Sequence, residues 1–185
     1  NHYNEYMNRI NELYTPFETI SDTNNSIISK QVASNILSIV SNLDDIDTVV
    51  IELTKRLAPK VLENNIEFTI IPSKGRTVAK INITLLHEAI TNLIENALQH
   101  GGPALSEIIV KVIKKRQEIS ISVENDGTKI KDNQIKSCFE RFSQIGESGG
   151  AGLGLALVNE IAKLHNGSLT VSSKTSMKFT FSIPT

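Results

Sequence analysis

The chain has 185 residues, enough for one domain with its own hydrophobic core and a short attached element, but too few for two full domains. Its 19 basic and 20 acidic residues give a formal net charge of −1 and form no basic cluster, which argues against a nucleic-acid-binding surface. The single cysteine, Cys138, excludes an internal disulfide and favours a reducing compartment.

Residues 1–46 are polar and predict a helical segment. A first helix is expected before Pro16, which would stop or kink it, and apolar residues between Ile28 and Leu43 follow a helical period. Residues 43–48, with their acidic side chains, are expected to form a connection that caps the next helix.

From residue 47 the pattern changes to that of a compact α/β unit. The predicted elements are a helix at 48–63, strands at 66–71 and 77–81, a helix at 83–99, strands at 107–114 and 118–125, a helix at 156–165, and strands at 168–173 and 178–183. Short turns join two pairs of these strands, so a largely antiparallel sheet with helices on one face is expected over residues 47–185.

Three glycines, Gly150, Gly152 and Gly154, occupy alternate positions directly before a predicted helix. Without Cβ atoms, the backbone N–H groups of such a loop can approach a bulky anion at a helix N-terminus. The pattern indicates phosphate binding, although a flexible loop before a buried helix would have a similar composition.

One face of the predicted helix at 83–99 carries polar residues four positions apart, namely Glu88, Asn92 and Asn96, with His100 continuing the row. A solvated stripe would explain such a row in a generic helix, but lysine and glutamate are better helix formers there than asparagine. Amide oxygens are hard ligands of the kind that Mg²⁺ accepts. The face is therefore a candidate metal and nucleotide site.

Four motifs, taken in order, resemble the N, G1, F and G2 boxes of the catalytic ATP-binding domain of sensor histidine kinases. They are N-L-I-E-N-A-L-Q-H at 92–100, N-D-G at 125–127, C-F-E-R-F at 138–142 and G-A-G-L-G-L at 150–155. The resemblance covers about residues 47–185. It implies the Bergerat fold, a two-layer α/β sandwich in which a mixed, mostly antiparallel sheet carries helices on one face and ATP binds between the helices under a lid.

The resemblance implies that Asn96 coordinates an Mg²⁺ ion that bridges the ATP phosphates, with Asn92 one turn before it. Relatives that hydrolyse ATP have a glutamate base at the position of Asn92, and an amide cannot take a proton from water. The site is therefore expected to transfer the phosphoryl group rather than hydrolyse ATP. Gln99 and His100 stand where the family often has a basic and then an aromatic residue, so the usual charged phosphate contact is not expected here, although His100 can still donate a hydrogen bond.

The G1 box departs further from the family pattern, D-x-G-x-G-I. Asn125 occupies the position of the adenine-binding aspartate, Gly127 matches the first glycine and Lys129 replaces the second. Alternation from Ile119 places Asn125 on the core-facing row, which favours it over Asp126, although both are candidate pocket residues. A neutral acceptor forms a weaker hydrogen bond than a carboxylate, so modest adenine affinity is expected.

The resemblance also assigns residues of the lid and glycine loop to the nucleotide pocket: Phe139, Phe142, Gly150, Gly152, Leu153, Gly154 and Leu155. The two phenylalanines are further expected to anchor the base of the lid. His87 and His165 are expected to have structural roles rather than to bind ligands.

The segment N-E-L-Y-T-P-F at residues 11–17 resembles the H-box, H-E-L-R-T-P-L, whose histidine receives the phosphoryl group. Asn11 stands at the histidine position and Tyr14 at the arginine position. A partial segment, a degenerate dimerisation and phosphoacceptor region, or a chance similarity would each explain this match.

The resemblance implies an ATP-dependent protein-histidine kinase domain of a two-component system, which uses ATP and Mg²⁺ and passes the phosphoryl group to a response regulator receiver domain. We expect a homodimer through the N-terminal helices and a cytoplasmic position within a membrane-bound sensor. Nucleic acid is not an expected partner. One alternative is a catalytically silent module that binds nucleotide or a partner kinase. Another is an ATPase of the gyrase or chaperone type, which Asn92 disfavours.

Overall fold

A computed structural model describes residues 42–131, 134–135, 137–139 and 154–185. The elements in chain order are β1 (Asn42–Asp45), α1 (Ile46–Leu62), β2 (Glu67–Ile71), β3 (Val78–Ile81), α2 (Ile83–His100), β4 (Glu107–Lys114), β5 (Glu118–Asn125), a 3₁₀ turn (Ser137–Phe139), α3 (Gly154–Leu164), β6 (Ser168–Ser172) and β7 (Met177–Pro184).

The main sheet has five strands in the order β2-β4-β5-β7-β6. β2 runs parallel to β4, and the other neighbours are antiparallel. The three helices cover one face of this sheet, so the predicted mixed, mostly antiparallel sheet of a two-layer α/β sandwich is confirmed. Strand β4 shows the alternation expected of a strand with one face on the core: Ile108, Val110 and Val112 are buried, and the residues between them are half-buried.

The core lies between the sheet and α2, whose apolar stripe is fully buried at Leu86, Ile90 and Leu93. On the sheet side, Phe179 and Phe181 of β7 are the largest fully buried side chains. Burying a side chain of this size contributes roughly 1.5–3 kcal/mol. The packing holds α2 against β5, the two elements that carry the N and G1 motifs.

The predicted connection at residues 43–48 is wrong, because residues 42–45 form a strand that pairs antiparallel with β3. This four-residue strand is too short and too polar to show alternation, and its partner is distant in sequence. The expected capping is confirmed: Asp45 is the N-cap of α1, and its Oδ1 accepts from the Asp47 N–H at 3.2 Å.

His165 joins the end of α3 to the start of α2. Its Nδ1 lies 2.8 Å from the carbonyl oxygen of Ile161 and must donate to it, while its Nε2 accepts from the Asn82 N–H at 3.1 Å. The bond from Asn82 requires the neutral ring, because an Nε2 that accepts a hydrogen bond cannot carry a proton. Burial lowers the pKa of His165, partly offset by the bond to Ile161. The geometry agrees with the structural role expected for this histidine.

We therefore expect the domain to lose stability as the pH falls through about 6.5, where the unfolded histidine takes up a proton that the folded ring resists. At pH 7.5, His165→Leu should lower the free energy of unfolding by about 1–3 kcal/mol, because Asn82 N–H loses its acceptor. Urea unfolding at several pH values measures both effects. His87→Gln is the control at pH 7.5 only, since the His87 ring contacts only the exposed Arg56 at 3.4 Å among the hydrogen bonds of the described residues. Burial also lowers the pKa of His87, so part of the pH dependence should be lost in this variant too. A pH dependence unchanged in His165→Leu would contradict the assignment.

Candidate nucleotide site

The polar face of α2 is ordered by contacts along the helix. Asn92 Nδ2 donates to the carbonyl oxygen of Glu88 at 2.8 Å and to Glu88 Oε1 at 3.0 Å. Burial raises the pKa of Glu88, while the hydrogen bond from Asn92 partly opposes the rise. The side-chain amide of Asn96, which is half-buried one turn later, makes no hydrogen bond with any residue that the structure describes.

The loop after β5 closes on the C-terminal end of α2. A Cβ atom on Gly127 would lie 2.3 Å from the carbonyl oxygen of Gly101, so only glycine allows this approach. The Thr128 N–H donates to the same oxygen at 2.7 Å. This contact brings the N-D-G motif against the end of the N-L-I-E-N-A-L-Q-H motif, as a shared site requires.

Asn125 ends the core-facing row of β5 and is 4% exposed. Its Oδ1 accepts from the Gly127 N–H at 3.1 Å. A carbonyl-type oxygen has a second lone pair, so it can accept another hydrogen bond from a ligand. Alternation along the strand therefore predicted the direction of this side chain correctly.

Asp126 points the other way and is exposed. Its Oδ1 accepts from the N–H groups of Ser106 and Glu107 at 2.9 and 3.0 Å, and its Oδ2 accepts from the Ser106 hydroxyl. Slight burial opposes ionisation, but these bonds outweigh it and hold the pKa of Asp126 below its usual range. The expectation that Asp126 contributes to the pocket is not supported, because its carboxylate is used to hold the start of β4.

The first turn of α3 lies against the middle of α2. A Cβ atom on Gly154 would lie 3.0 Å from Asn92 Oδ1, so the end of the glycine motif meets the first asparagine of the N motif. The helix begins at Gly154 rather than at the predicted residue 156. Leu155 is half-buried and packs against the core, which fixes the first turn.

Four other residues that the sequence analysis discussed lie in the described part of the chain. Half-buried Phe139 packs against the core, in agreement with an anchor at the base of the lid. Burial lowers the pKa of half-buried His100, so the ring is neutral at pH 7. Gln99 is exposed, and Lys129 Nζ donates to the Lys174 carbonyl oxygen at 3.0 Å in the turn before β7.

Some predicted positions lie outside the described residues: Asn11, Phe142, Gly150, Gly152, Leu153 and most of residues 128–148, where the lid is expected. Two features of the site were missed by sequence reasoning. Gly101 directly follows α2, and a glycine after a helix is a signal that could have drawn attention to it. The only sequence feature that indicated the hydrogen bond from Asn92 to Glu88 was their four-residue spacing on one helix.

Comparison with known proteins places these motifs in a family. The family model described as histidine kinase-, DNA gyrase B- and HSP90-like ATPase matches residues 81–185, which include α2, both glycine motifs and every strand from β4 to β7. The chain belongs to this family. Family membership supports ATP binding by this domain.

Curated relatives of the family are sensor proteins. The chain is 38% identical over 99 residues to the heme sensor protein HssS of Staphylococcus epidermidis, covering 53% of the chain and 22% of that protein. It is 33% identical over 150 residues to the sensor-like histidine kinase SenX3 of Mycolicibacterium smegmatis, covering 76% of the chain and 38% of that protein. The chain thus spans well under half the length of these relatives.

Solved structures support the same fold. The catalytic domain of histidine kinase ThkA matches with a TM-score of 0.69 at 21% identity, covering 78% of this chain and 95% of that chain. A structure of ThkA in complex with the response regulator protein TrrA matches with a TM-score of 0.67 at 18% identity, covering 98% of this chain and 59% of that chain. Within the described part of this chain, no helix combines the length and apolar character needed to span a membrane.

Proposed function

We propose that this chain is the ATP-binding catalytic part of a sensor histidine kinase, which transfers the γ-phosphate of ATP to a histidine for relay to a response regulator. The observation that carries this proposal is that two glycine motifs contact the helix of the N motif, one beside Asn92 and the other at the C-terminal end of α2. Gly154 lies against Asn92, and Gly127 lies against Gly101, so separate segments of the chain meet around the asparagine face.

The amide chemistry of this face fits a magnesium ion. Asn96 has a half-buried side-chain amide without a hydrogen-bond partner among the described residues, and Asn92 presents its oxygen toward Gly154. Both offer hard oxygen donors, and Mg²⁺ keeps several waters when few protein ligands are present. A bound Mg²⁺ would neutralise phosphate charge during transfer. Asn96 would hold it, with Asn92 beside it.

Asn92 also determines the kind of reaction in this proposal. Its Nδ2 is bound to Glu88, and its oxygen belongs to an amide, so it cannot accept a proton from water near neutral pH. Phosphoryl transfer is therefore favoured over hydrolysis. Asn125 would accept from the adenine amino group, and His100, neutral at pH 7, would donate one hydrogen bond toward the phosphates.

The part of the predicted segment 1–46 that precedes β1 is proposed to contribute dimerising helices, with Asn11 at the phosphoacceptor position. The receiver domain of a response regulator is the proposed partner, supported by the ThkA structure solved with the response regulator protein TrrA. A cytoplasmic position within a membrane-bound sensor is proposed from the naming of the curated relatives as sensor proteins.

The proposal is tested by ATP titration with and without Mg²⁺, followed by incubation with γ-labelled ATP. The chain should bind Mg-ATP but not label itself, because the Asn11 amide is a poor nucleophile. Asn11→His should introduce acid-labile label, and Asn8→His is the matched control for a histidine placed nearby. Self-labelling by the parent would contradict the acceptor assignment. Mg-ATP binding without transfer by either variant would favour the catalytically silent module, which the substitutions at Asn11, Asn125 and Lys129 support.

We expect Asn125→Asp to tighten ATP binding by about tenfold, because a carboxylate accepts the adenine amino hydrogen roughly twice as strongly as an amide does. The Gly127 N–H can still donate to the new carboxylate. Calorimetry with ATP and with GTP measures the effect and its base specificity. Asp126→Asn is the control and should leave ATP affinity unchanged, since Asp126 faces Ser106. Equal tightening for GTP would argue against a contact with the adenine amino group.

A further inference from the structure

The side chain of Asn92 has two ends of opposite hydrogen-bonding character, and the structure shows which end points where. Both contacts of its Nδ2 are to Glu88, at the carbonyl oxygen and at Oε1. A backbone carbonyl can only accept, and an ionised carboxylate can only accept. The amide nitrogen must therefore face Glu88, and its two hydrogens are both used there.

The oxygen of the same amide consequently faces away from Glu88. Asn92 Oδ1 is the nearest atom to a Cβ built on Gly154, at 3.0 Å, so it points at the start of α3 where the glycine motif ends. The reversed amide would place an NH₂ group at this position. An NH₂ group cannot bind a cation, whereas an amide oxygen can.

We propose that Glu88 is a positioning residue for the nucleotide site: it holds the Asn92 amide so that the oxygen, and not the nitrogen, faces the glycine motif and the metal-nucleotide. The assignment rests on the proposed function for the identity of the ligand, Mg-ATP. It adds to that function a residue outside the four recognised motifs, one turn before the first asparagine.

A simple helix-stabilising contact is the competing explanation, because polar pairs at this spacing stabilise isolated helices by about 0.2–0.5 kcal/mol. The two explanations differ in what they predict. A stabilising contact changes the free energy of unfolding slightly and leaves the ligand unaffected. A positioning contact changes metal-dependent affinity, and any neutral residue with an acceptor at the right place restores it.

The test compares Glu88→Gln with Glu88→Met. Both variants remove the charge and retain a long unbranched side chain that suits a helix, and both keep the backbone carbonyl that accepts from Asn92 Nδ2. Only glutamine also keeps a side-chain acceptor for the second hydrogen of this amide, in place of Glu88 Oε1. We expect Glu88→Met to bind Mg-ATP about tenfold more weakly than Glu88→Gln, while the two bind ATP equally without Mg²⁺. Equal Mg-ATP affinities of the two variants would overturn the proposal.

Repeating the comparison in an Asn92→Asp background completes a double-variant cycle. A carboxylate presents an oxygen at both ends, so residue 88 should no longer matter, and the tenfold difference between Gln and Met should disappear. A difference that persists with Asp at position 92 would show that residue 88 acts by another route, which also overturns the proposal.

The orientation is also measurable in the nucleotide-free protein. The side-chain NH₂ resonances of Asn92, assigned by their loss in Asn92→Asp, should be similar in the parent and Glu88→Gln and shifted upfield in Glu88→Met. Identical resonances in all three proteins would overturn the proposal without reference to ATP. If the parent bound no Mg-ATP, the proposed function would fail, while these resonances would still decide whether Glu88 orients Asn92.

Discussion

Asn96→Ala is expected to weaken Mg-ATP binding about a hundredfold, the largest effect of any single side chain in the candidate site. The amide of Asn96 is half-buried on the same face of α2 as Asn92 and has no hydrogen-bond partner among the described residues. Removing this amide should therefore weaken Mg-ATP binding without breaking a hydrogen bond within the described part of the protein. Loss of one interaction with a charged group corresponds to roughly 1.5–3 kcal/mol, which is about tenfold to a hundredfold or more in affinity.

Calorimetric titration with ATP, with and without Mg²⁺, separates the metal from the nucleotide. Asn96→Asp is the matched control, because it keeps an oxygen at nearly the same place and should bind Mg-ATP within a few-fold of the parent. ATP without metal should bind the parent and Asn96→Ala equally. If Asn96→Ala bound Mg-ATP as tightly as the parent, Asn96 would not be the metal ligand.

Gly127→Ala is expected to destabilise the domain by about 3 kcal/mol, at the upper end for inserting a methyl group into a packed site. The new Cβ would lie 2.3 Å from the carbonyl oxygen of Gly101 and 2.7 Å from its Cα. Both are backbone atoms, which cannot rotate away as a side chain can. The loop after β5 would have to separate from the end of α2, and the bond from Thr128 N–H to Gly101 would be lost with it.

Gly154→Ala is the matched control for Gly127→Ala, because it also adds a methyl group to a glycine that contacts α2. Its Cβ would meet only the Asn92 side chain, at 3.0 Å, and a side chain can shift by a few tenths of an ångström. We expect near-parent stability with weaker ATP binding, since Asn92 moves. Urea unfolding measures stability, and titration at low temperature measures affinity. A Gly127→Ala variant as stable as the parent would show that the close contact between Gly127 and Gly101 does not hold the loop against α2.

The local pattern of the chain determined much of the main sheet. The strands predicted at 107–114 and 118–125 match β4 and β5, because apolar residues recur at every second position and a tight charged turn joins the two runs. The same alternation placed Asn125 on the core side. These features depend on neighbouring residues, and a sequence contains that information directly.

Only the tertiary structure decided the features that depend on distant partners. β1 exists because residues 42–45 find β3, and β2 runs parallel to β4 through a connection that contains β3 and α2. The Asp126 carboxylate is held at the start of β4 because Ser106 and Glu107 supply N–H groups to it. The Asn92 amide is turned by Glu88 on one side and meets Gly154 on the other. Hydrogen bonds and close backbone contacts are set by atoms within a few ångströms, and residues far apart along the chain reach that distance only after the sheet and helices have packed.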